Sequence, residues 1–134
     1  MITIQQEIEK YMQKAADCLS DSAYLLEGKR FDASSNRSYY AIFDMIQAGL
    51  AFQNVAAKTH TGSHTKFREC FIKTGIFPDS FNNIINDSFS LRQSGDYEND
   101  YDVSMEEANR SLQKPTLFVN TVSDYLKKQF ENKS

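Results

Sequence analysis

The sequence is poor in the residues that interrupt helices, since its 134 residues include only five glycines and two prolines. No tight-turn dipeptide separates two alternating apolar runs, which argues against a β fold. The two cysteines, Cys18 and Cys70, are too few for a disulfide framework, and their apolar neighbours indicate buried free thiols. No apolar run has the length of a signal peptide or a membrane span, so we expect a cytoplasmic protein without a membrane partner.

An excess of positive charge is also absent. Fifteen Lys and Arg residues stand against eighteen Asp and Glu residues, which gives a net charge of −3 and a pI of about 5.3. Proteins dedicated to duplex DNA usually carry a basic footprint, so duplex DNA is not an expected ligand. The sequence also lacks a phosphate-binding glycine loop, a nucleophile elbow and the paired His or Cys motifs of metal sites. We therefore expect no cofactor, and no common enzyme motif identifies a reaction.

Apolar periodicity predicts an all-α fold, an up-and-down bundle of four or five helices formed by one domain over residues 1–131. Residues 132–134 are expected to form a frayed tail. The expected helices extend from Thr3 to Glu27, Asp32 to Val55, Ser63 to Lys73, Asp79 to Gln93 and Ser104 to Phe130.

Local signals mark the ends of these helices. Asp32 is an expected N-cap of the second helix, and Ser104 with Glu107 predicts a capping box at the start of the last one. The stretch Lys58–Gly62 is expected to be a loop before the third helix. Pro115 lies inside the last helix and is expected to kink it or split it in two.

Arg92 is the residue that fits an ordinary bundle least well. On the wheel of the fourth helix it falls within the apolar stripe, where a charge is costly unless it is paired or lines a cleft. Asp96 follows one turn later on the same face, so one interpretation is a structural ion pair that lets Arg92 snorkel. The other interpretation is a functional site, because perturbed charges gather at such sites.

The two histidines and one acidic stretch were tested against metal-binding patterns. His60 and His64 have i,i+4 spacing, but Gly62 lies between them and no third ligand is evident, so no metal site is expected. His60 alone is a candidate general base or phosphate contact, with a purely structural loop histidine as the alternative. The stretch Asp96–Asp102 partly imitates a calcium-binding loop, but Tyr101 occupies the glycine position, which favours a solvated linker.

Five ordered segments cover nearly the whole chain, and their order and spacing are more specific than any one of them. The segments are Asn36–Phe43, Lys58–Gly62, Phe71–Gly75, Leu91–Tyr97 and Ser104–Ala108. Together they resemble the HEPN domain family (higher eukaryotes and prokaryotes nucleotide-binding). The resemblance implies a helical bundle that often forms homodimers.

The resemblance also implies a choice of activities. Many family members are metal-independent ribonucleases in toxin–antitoxin, phage-defence or RNA-processing systems, whereas others bind nucleotides or RNA without catalysis. Bacterial members often work with a small nucleotidyltransferase, which can act as antitoxin by adenylylating the toxin. The active motif is an arginine followed, a few residues later, by a histidine. Arg92 matches the arginine, but Tyr97, Glu98 and Asn99 occupy the histidine positions.

Three hypotheses follow, and whether the chain is an enzyme stays open. The first is a module, working with a nucleotidyltransferase, that binds nucleotide or single-stranded RNA through Arg92, Asp96, Tyr97, Asn36 and Tyr40. The second is a ribonuclease toxin in which Arg92 stabilises charge and His60 acts as acid or base. The third is a non-catalytic interaction subunit, in which the Arg92–Asp96 pair fixes packing and a partner enzyme modifies Tyr97 or Tyr101.

Overall fold

The structure is a computed structural model that describes residues 1–97 and 101–132. Within these two ranges every regular element is helical, so the predicted all-α fold is confirmed. The helices are α1 (Ile4–Glu27), α2 (Phe31–Phe52), α3 (His60–Phe67), α4 (Ser80–Tyr97) and α5 (Met105–Asn132), with a π-helical turn at Arg68–Ile72 after α3. None of the described helices is both long and apolar enough to cross a membrane.

Side-chain caps determine where α1 and α5 begin. At α1, the Gln6 amide donates to Thr3 Oγ1 at 3.1 Å, and the Thr3 amide donates to Gln6 Oε1 at 2.9 Å. At α5, the same reciprocal pair joins Ser104 and Glu107, with both distances 3.1 Å. The capping box expected at Ser104 is therefore present, and each pair satisfies two backbone amides that a helix start leaves free.

Two expectations about helix ends are wrong. Asp32 is not the N-cap of α2, because the helix begins at Phe31 after Arg30, which makes no side-chain cap. The Asp32 carboxylate instead accepts a hydrogen bond from the Val103 amide at 2.9 Å, a contact between distant segments that has no local sequence signal. The third helix begins at His60 and not at Ser63, so three of the five residues in the expected Lys58–Gly62 loop are helical.

The fourth and fifth helices are longer than the sequence predicts. Helix α4 continues past Gln93 to Tyr97 and includes Gly95, where an added Cβ would lie 3.1 Å from Val103 Cγ2. Helix α5 runs through Pro115 without a break, so the proline does not split it. Proline inside a helix costs roughly 3 kcal/mol, and the apolar face that α5 buries around it offsets this cost.

Helix α2 lies at the centre and packs against α1, α3, α4 and α5. One part of its contact with α1 is polar, because the buried hydroxyls of Ser34 and Ser38 lie 2.9 and 2.7 Å from Ser22 Oγ. The Ser22 hydroxyl also donates to the Ser34 carbonyl, and the Ser34 hydroxyl donates to the Ser22 carbonyl. This serine cluster (Ser22, Ser34 and Ser38) fixes the position of α1 along α2.

The remaining sequence expectations concern the cysteines and the chain end. Both cysteines are free; Cys18 is buried as expected, whereas Cys70 is only half-buried. Helix α5 includes Asn132, and positions 133 and 134 lie outside the described residues. The proposed calcium-like stretch also lies partly outside them, at 98–100.

Candidate functional site

Arg92 points from the fourth turn of α4 toward α2, and its side chain is 13% exposed. Its Nε atom lies 3.0 Å from Asp96 Oδ2, which is the expected i,i+4 ion pair. The Nε–H group is not aligned with that oxygen, so the contact is ionic and not a hydrogen bond. The Nη2 atom donates to the hydroxyls of Tyr40 at 3.1 Å and Tyr97 at 3.2 Å.

Three tyrosine rings surround this guanidinium group. The Arg92 Cζ atom lies 5.8 Å from the ring centroid of Tyr39 and 5.3 Å from those of Tyr40 and Tyr97. All three distances fall within the range of cation–π attraction. The rings shield the charge from water, and Tyr97, which is 69% exposed, forms the outer edge of the group. The cation is thus held in one place while remaining close to the surface.

A second guanidinium group lies on the Tyr40 ring. The Cζ atom of Arg37 is 5.0 Å from that centroid, and its Nε and Nη2 atoms donate to Asn36 Oδ1 at 3.1 and 2.9 Å. The Asn36 amide donates in turn to Asp96 Oδ2 at 2.8 Å. The guanidinium groups of Arg37 and Arg92 therefore both lie beside the Tyr40 ring, with the Asp96 carboxylate next to Arg92.

His60 is the first residue of α3 and lies next to this charge. The cap before it is made by Thr59, whose Oγ1 accepts the Gly62 amide at 2.9 Å. An added Cβ at Gly62 would lie 2.8 Å from that oxygen, so glycine allows the cap to close and the helix to start three residues earlier than expected. The His60 ring stacks on Phe43 at 4.3 Å, and its Nδ1 atom lies 2.7 Å from the Tyr39 hydroxyl.

The Tyr39 hydroxyl has a second histidine partner. It lies 2.8 Å from Nε2 of His64, which is 3% exposed, whereas Tyr39 itself is fully buried. Burial raises the pKa of the Tyr39 phenol above its ordinary value. Burial, aided by Arg92, lowers the pKa of His60, and burial with Arg68 and His60 lowers the pKa of His64 to about 4. At neutral pH all three side chains are uncharged.

The structure brings all six residues singled out in the sequence into one cluster. Asn36, Asp96, Arg92, Tyr40 and Tyr97 are joined by direct contacts, and His60 reaches them through the Tyr40 ring, 5.9 Å away between centroids. Two of the motif positions, Glu98 and Asn99, lie outside the described residues. We call the six residues together with Arg37 the Arg92 cluster.

Sequence reasoning missed three members of this neighbourhood. Arg37 lay inside a segment used for the family resemblance, yet a cation on a helix flank is usually solvated. The Tyr39 ring is fully buried on the apolar side of α2, but its hydroxyl has no sequence signature. His64 was considered only as a metal ligand; within the described ranges, no three His, Cys, Asp or Glu side chains lie close enough to hold a metal.

A sizeable cavity of the described chain lies elsewhere. It has a volume of about 660 Å³ and separates α4 from α5 on the face of α4 that carries Ser88, Leu91 and Ser94. Its charged lining residues are Asp87 from α4 and Glu107, Arg110 and Lys114 from α5. Buried titratable groups, aromatic rings and paired charges concentrate at the Arg92 cluster and not in this cavity, so the cluster is the better candidate site.

The chain is similar to one known protein family and to several individual proteins. A family model described as "HEPN domain" matches residues 8–126. Two Methanocaldococcus jannaschii proteins, each with the name "Putative toxin", are similar to it. One is 31% identical over 91% of this chain and 83% of its own, and the other is 32% identical over 92% of each. A Thermotoga maritima "UPF0332 protein" is 33% identical over 67% of this chain and 68% of its own.

One solved structure is also similar to this chain. The crystal structure of an archaeal HEPN homologue matches 88% of this chain and 96% of that one, with a TM-score of 0.63. The sequence identity is 15%, so this likeness concerns the fold alone. It agrees with the all-α architecture described above.

Proposed function

The chain belongs to the HEPN domain family, and we propose that it is a nucleotide- or RNA-binding module with a toxin-like role, working with a nucleotidyltransferase partner. The family match and the toxin names of two relatives support the general role. The observation that carries the binding proposal is the fixed guanidinium group of Arg92 among tyrosine rings, with a second guanidinium on the same Tyr40 ring.

This arrangement suits a single-stranded nucleic acid for two physical reasons. A guanidinium group that is already oriented and partly desolvated binds a phosphate with little further loss of entropy. The exposed ring of Tyr97 offers a face on which a base can stack, and such stacking contributes about 1–3 kcal/mol per base. In this proposal a phosphate oxygen contacts Arg92 from the open side, and Tyr97 packs against the adjoining base.

The test is a titration with a fluorescent single-stranded oligoribonucleotide followed by anisotropy. Arg92→Ala should weaken binding about tenfold or more, because a charge-assisted hydrogen bond is lost. It should also reduce the slope of log affinity against log salt by about 0.7, the value of one phosphate contact on a single strand. Arg110→Ala, which removes a cation from α5, is the matched control and should leave that slope unchanged. Equal affinity in the folded Arg92→Ala protein would remove the site assignment.

A ribonuclease toxin is the second candidate, and the position of His60 beside Arg92 favours it. Burial and Arg92 lower the pKa of this histidine, so it is neutral near pH 7 and available to accept a proton from a ribose 2′-hydroxyl. The test compares growth and RNA integrity in bacteria that express the parent chain or His60→Leu. Slow growth with cut RNA that depends on His60 supports this candidate; intact RNA with normal growth eliminates it.

The expected partners are a second copy of the chain and a nucleotidyltransferase acting as antitoxin. Tyr97 is the better candidate acceptor for such an enzyme, because it is 69% exposed, whereas Tyr101 is half-buried and bonded to Glu107. The hydroxyl oxygen of Tyr97 would attack the α-phosphate of a nucleoside triphosphate, with pyrophosphate leaving. Mass spectrometry of co-expressed protein measures the added nucleotide, and Tyr97→Phe should abolish it. Size-exclusion chromatography with light scattering measures the oligomeric state.

A further inference from the structure

The Tyr39 hydroxyl lies between two histidine nitrogens, and its geometry limits where protons can be. It is 2.7 Å from His60 Nδ1 and 2.8 Å from His64 Nε2. The Tyr39 ring cannot move to relieve either contact, because it is fully buried and packs against Phe43 and Phe89. Both hydrogen bonds therefore belong to one rigid group of three side chains.

A phenol has one proton, so it can donate to one histidine only and must accept from the other. Two orders are possible. In one, His64 Nε2–H donates to Tyr39 and Tyr39 donates to His60 Nδ1. In the other, His60 Nδ1–H donates to Tyr39 and Tyr39 donates to His64 Nε2. The protonation states of the two rings are thereby coupled through the phenol.

The surroundings of His64 favour the first order. This ring is 3% exposed, and Tyr39 is its one recorded hydrogen-bond partner among the described residues. In the second order a neutral His64 would carry its proton on Nδ1, where no acceptor among the described residues lies within hydrogen-bond reach and the largely buried ring has little contact with water. Buried donors without partners are rarer and more costly than buried acceptors without partners. The first order places the His64 proton on Nε2, where the Tyr39 oxygen accepts it.

The same order decides the state of His60. Its Nδ1 accepts the Tyr39 proton, so a neutral His60 must carry its own proton on Nε2, the nitrogen that remains for a ligand. The ring is only partly exposed and stacks on Phe43, so packing fixes its plane as well. His60 and Arg92 contact the same Tyr40 ring.

We infer that Tyr39 and His64 are positioning residues that hold His60 as a neutral hydrogen-bond donor toward a phosphate oxygen bound beside Arg92. This inference rests on the proposed binding function for its ligand, but the direction of the proton chain does not. A neutral donor next to a cation suits a phosphate, which has only acceptors around its charged oxygens. It does not suit a general base, which needs an unprotonated Nε2, so this proton order argues against His60 as the base of the ribonuclease candidate.

The charges around the group keep it neutral over the working range. Arg92 on α4, Arg68 in the π-helical turn and the partner histidine all oppose protonation of the rings, and burial acts in the same direction. Tyr39 and Tyr40 from α2 are the other titratable groups that face them. Ligand affinity should therefore change little between about pH 6 and about pH 7.5, the range over which an ordinary histidine loses most of its proton.

The test is the imidazole nitrogen spectrum of the 15N-labelled protein without a histidine tag, in which only two histidines contribute signals. At pH 7 the expected result is a protonated Nε2 and an unprotonated Nδ1 on His60, and a protonated Nε2 on His64. Tyr39→Phe should convert the His60 signals to those of a tautomer mixture. Tyr125→Phe, a tyrosine on α5 distant from both histidines, is the control and should leave them unchanged. A proton on Nδ1 of His60 in the parent protein would overturn the inference, and this measurement needs no variant to fold.

Binding of a single-stranded oligoribonucleotide then separates this inference from the proposed function. Tyr39→Phe, shown to be folded by circular dichroism, should bind about fivefold more weakly, the effect of one neutral hydrogen bond that is no longer held in place. His60→Gln, which keeps a neutral donor, should bind better than His60→Leu. No binding by the parent protein would refute the proposed function while the spectrum still decides the proton order. Binding that is equal in all four proteins would refute the positioning role.

Discussion

Acidification should destabilise the protein through His64 before most carboxylates titrate. Its pKa falls from an ordinary 6.5 to about 4 in the fold, because burial and the Arg68 charge disfavour the protonated ring. The unfolded chain therefore binds a proton at pH values where the folded chain does not. The stabilising contribution is fully present above about pH 6.5 and is lost as the pH falls toward 4.

The size of this loss follows from the two pKa values. Because the unfolded chain binds this proton more tightly, the free energy of unfolding should fall by about 2 kcal/mol between pH 7.5 and pH 5. By pH 4 the decrease should be close to 3 kcal/mol. No correction for solvent screening is needed, because the ring is 3% exposed. At the slope typical of urea unfolding, 2 kcal/mol corresponds to a midpoint shift of about 1 M.

The assay is urea unfolding followed by circular dichroism at a series of pH values, for the parent protein and for His64→Gln. Glutamine can still bond the Tyr39 hydroxyl but does not titrate, so the variant should lose much less stability between pH 7.5 and 5. Asp44 and Glu107 also have shifted pKa values, but they are the same in both proteins and cancel in the comparison. The pKa of His60 is lowered as well, so the difference between the two profiles measures the titration of the two coupled histidines. Parallel stability profiles for the two proteins would refute the explanation.

Two further predictions concern packing and thiol reactivity. Gly49→Ala should destabilise the protein by about 1–3 kcal/mol in a thermal unfolding assay, because the new Cβ would lie 2.9 Å from Phe71 Cε2. Gly28→Ala is the control, and it should be nearly neutral because its Cβ would meet nothing closer than 3.7 Å. Cys18 should resist iodoacetamide in the native protein, because burial, with a smaller contribution from the Asp44 charge, raises the pKa of its thiol to about 11. Peptide mapping measures this, and alkylation of Cys18 as fast as that of half-buried Cys70 would contradict the prediction.

The sequence predicts the helices well because their signals are local. The capping residues of α5 and the apolar periodicity of the helices lie within one or two turns of the features they determine. Ends that depend on distant contacts were predicted poorly. Helix α4 gains its last turn because Gly95 allows Val103 to approach, and Asp32 bonds that same segment instead of capping its own helix.

The contacts of the candidate site are also of two kinds: local ones that the sequence predicts, and contacts between distant residues that it does not. Arg92 and Asp96 are one helical turn apart, so helical periodicity alone predicts their contact. The contact between Asn36 and Asp96 joins residues sixty positions apart, and no pattern in a single sequence specifies it. Resemblance to a family, and not periodicity, placed Asn36 and Tyr40 near Arg92. The phenol between two histidines was missed because its ring obeys the apolar pattern while its hydroxyl does not.

The serine cluster between α1 and α2 has a consequence for how this sequence can change over generations. Among the described residues the Ser38 hydroxyl is bonded to the Ser22 hydroxyl, so replacing Ser22 leaves Ser38 buried without that partner, whereas Ser22 and Ser34 also bond each other's carbonyl oxygens. Substitutions there should be strongly non-additive, unlike those at aliphatic contacts. Among descendants of a common ancestor, these positions should therefore be inherited together or exchanged together for apolar side chains of matching volume.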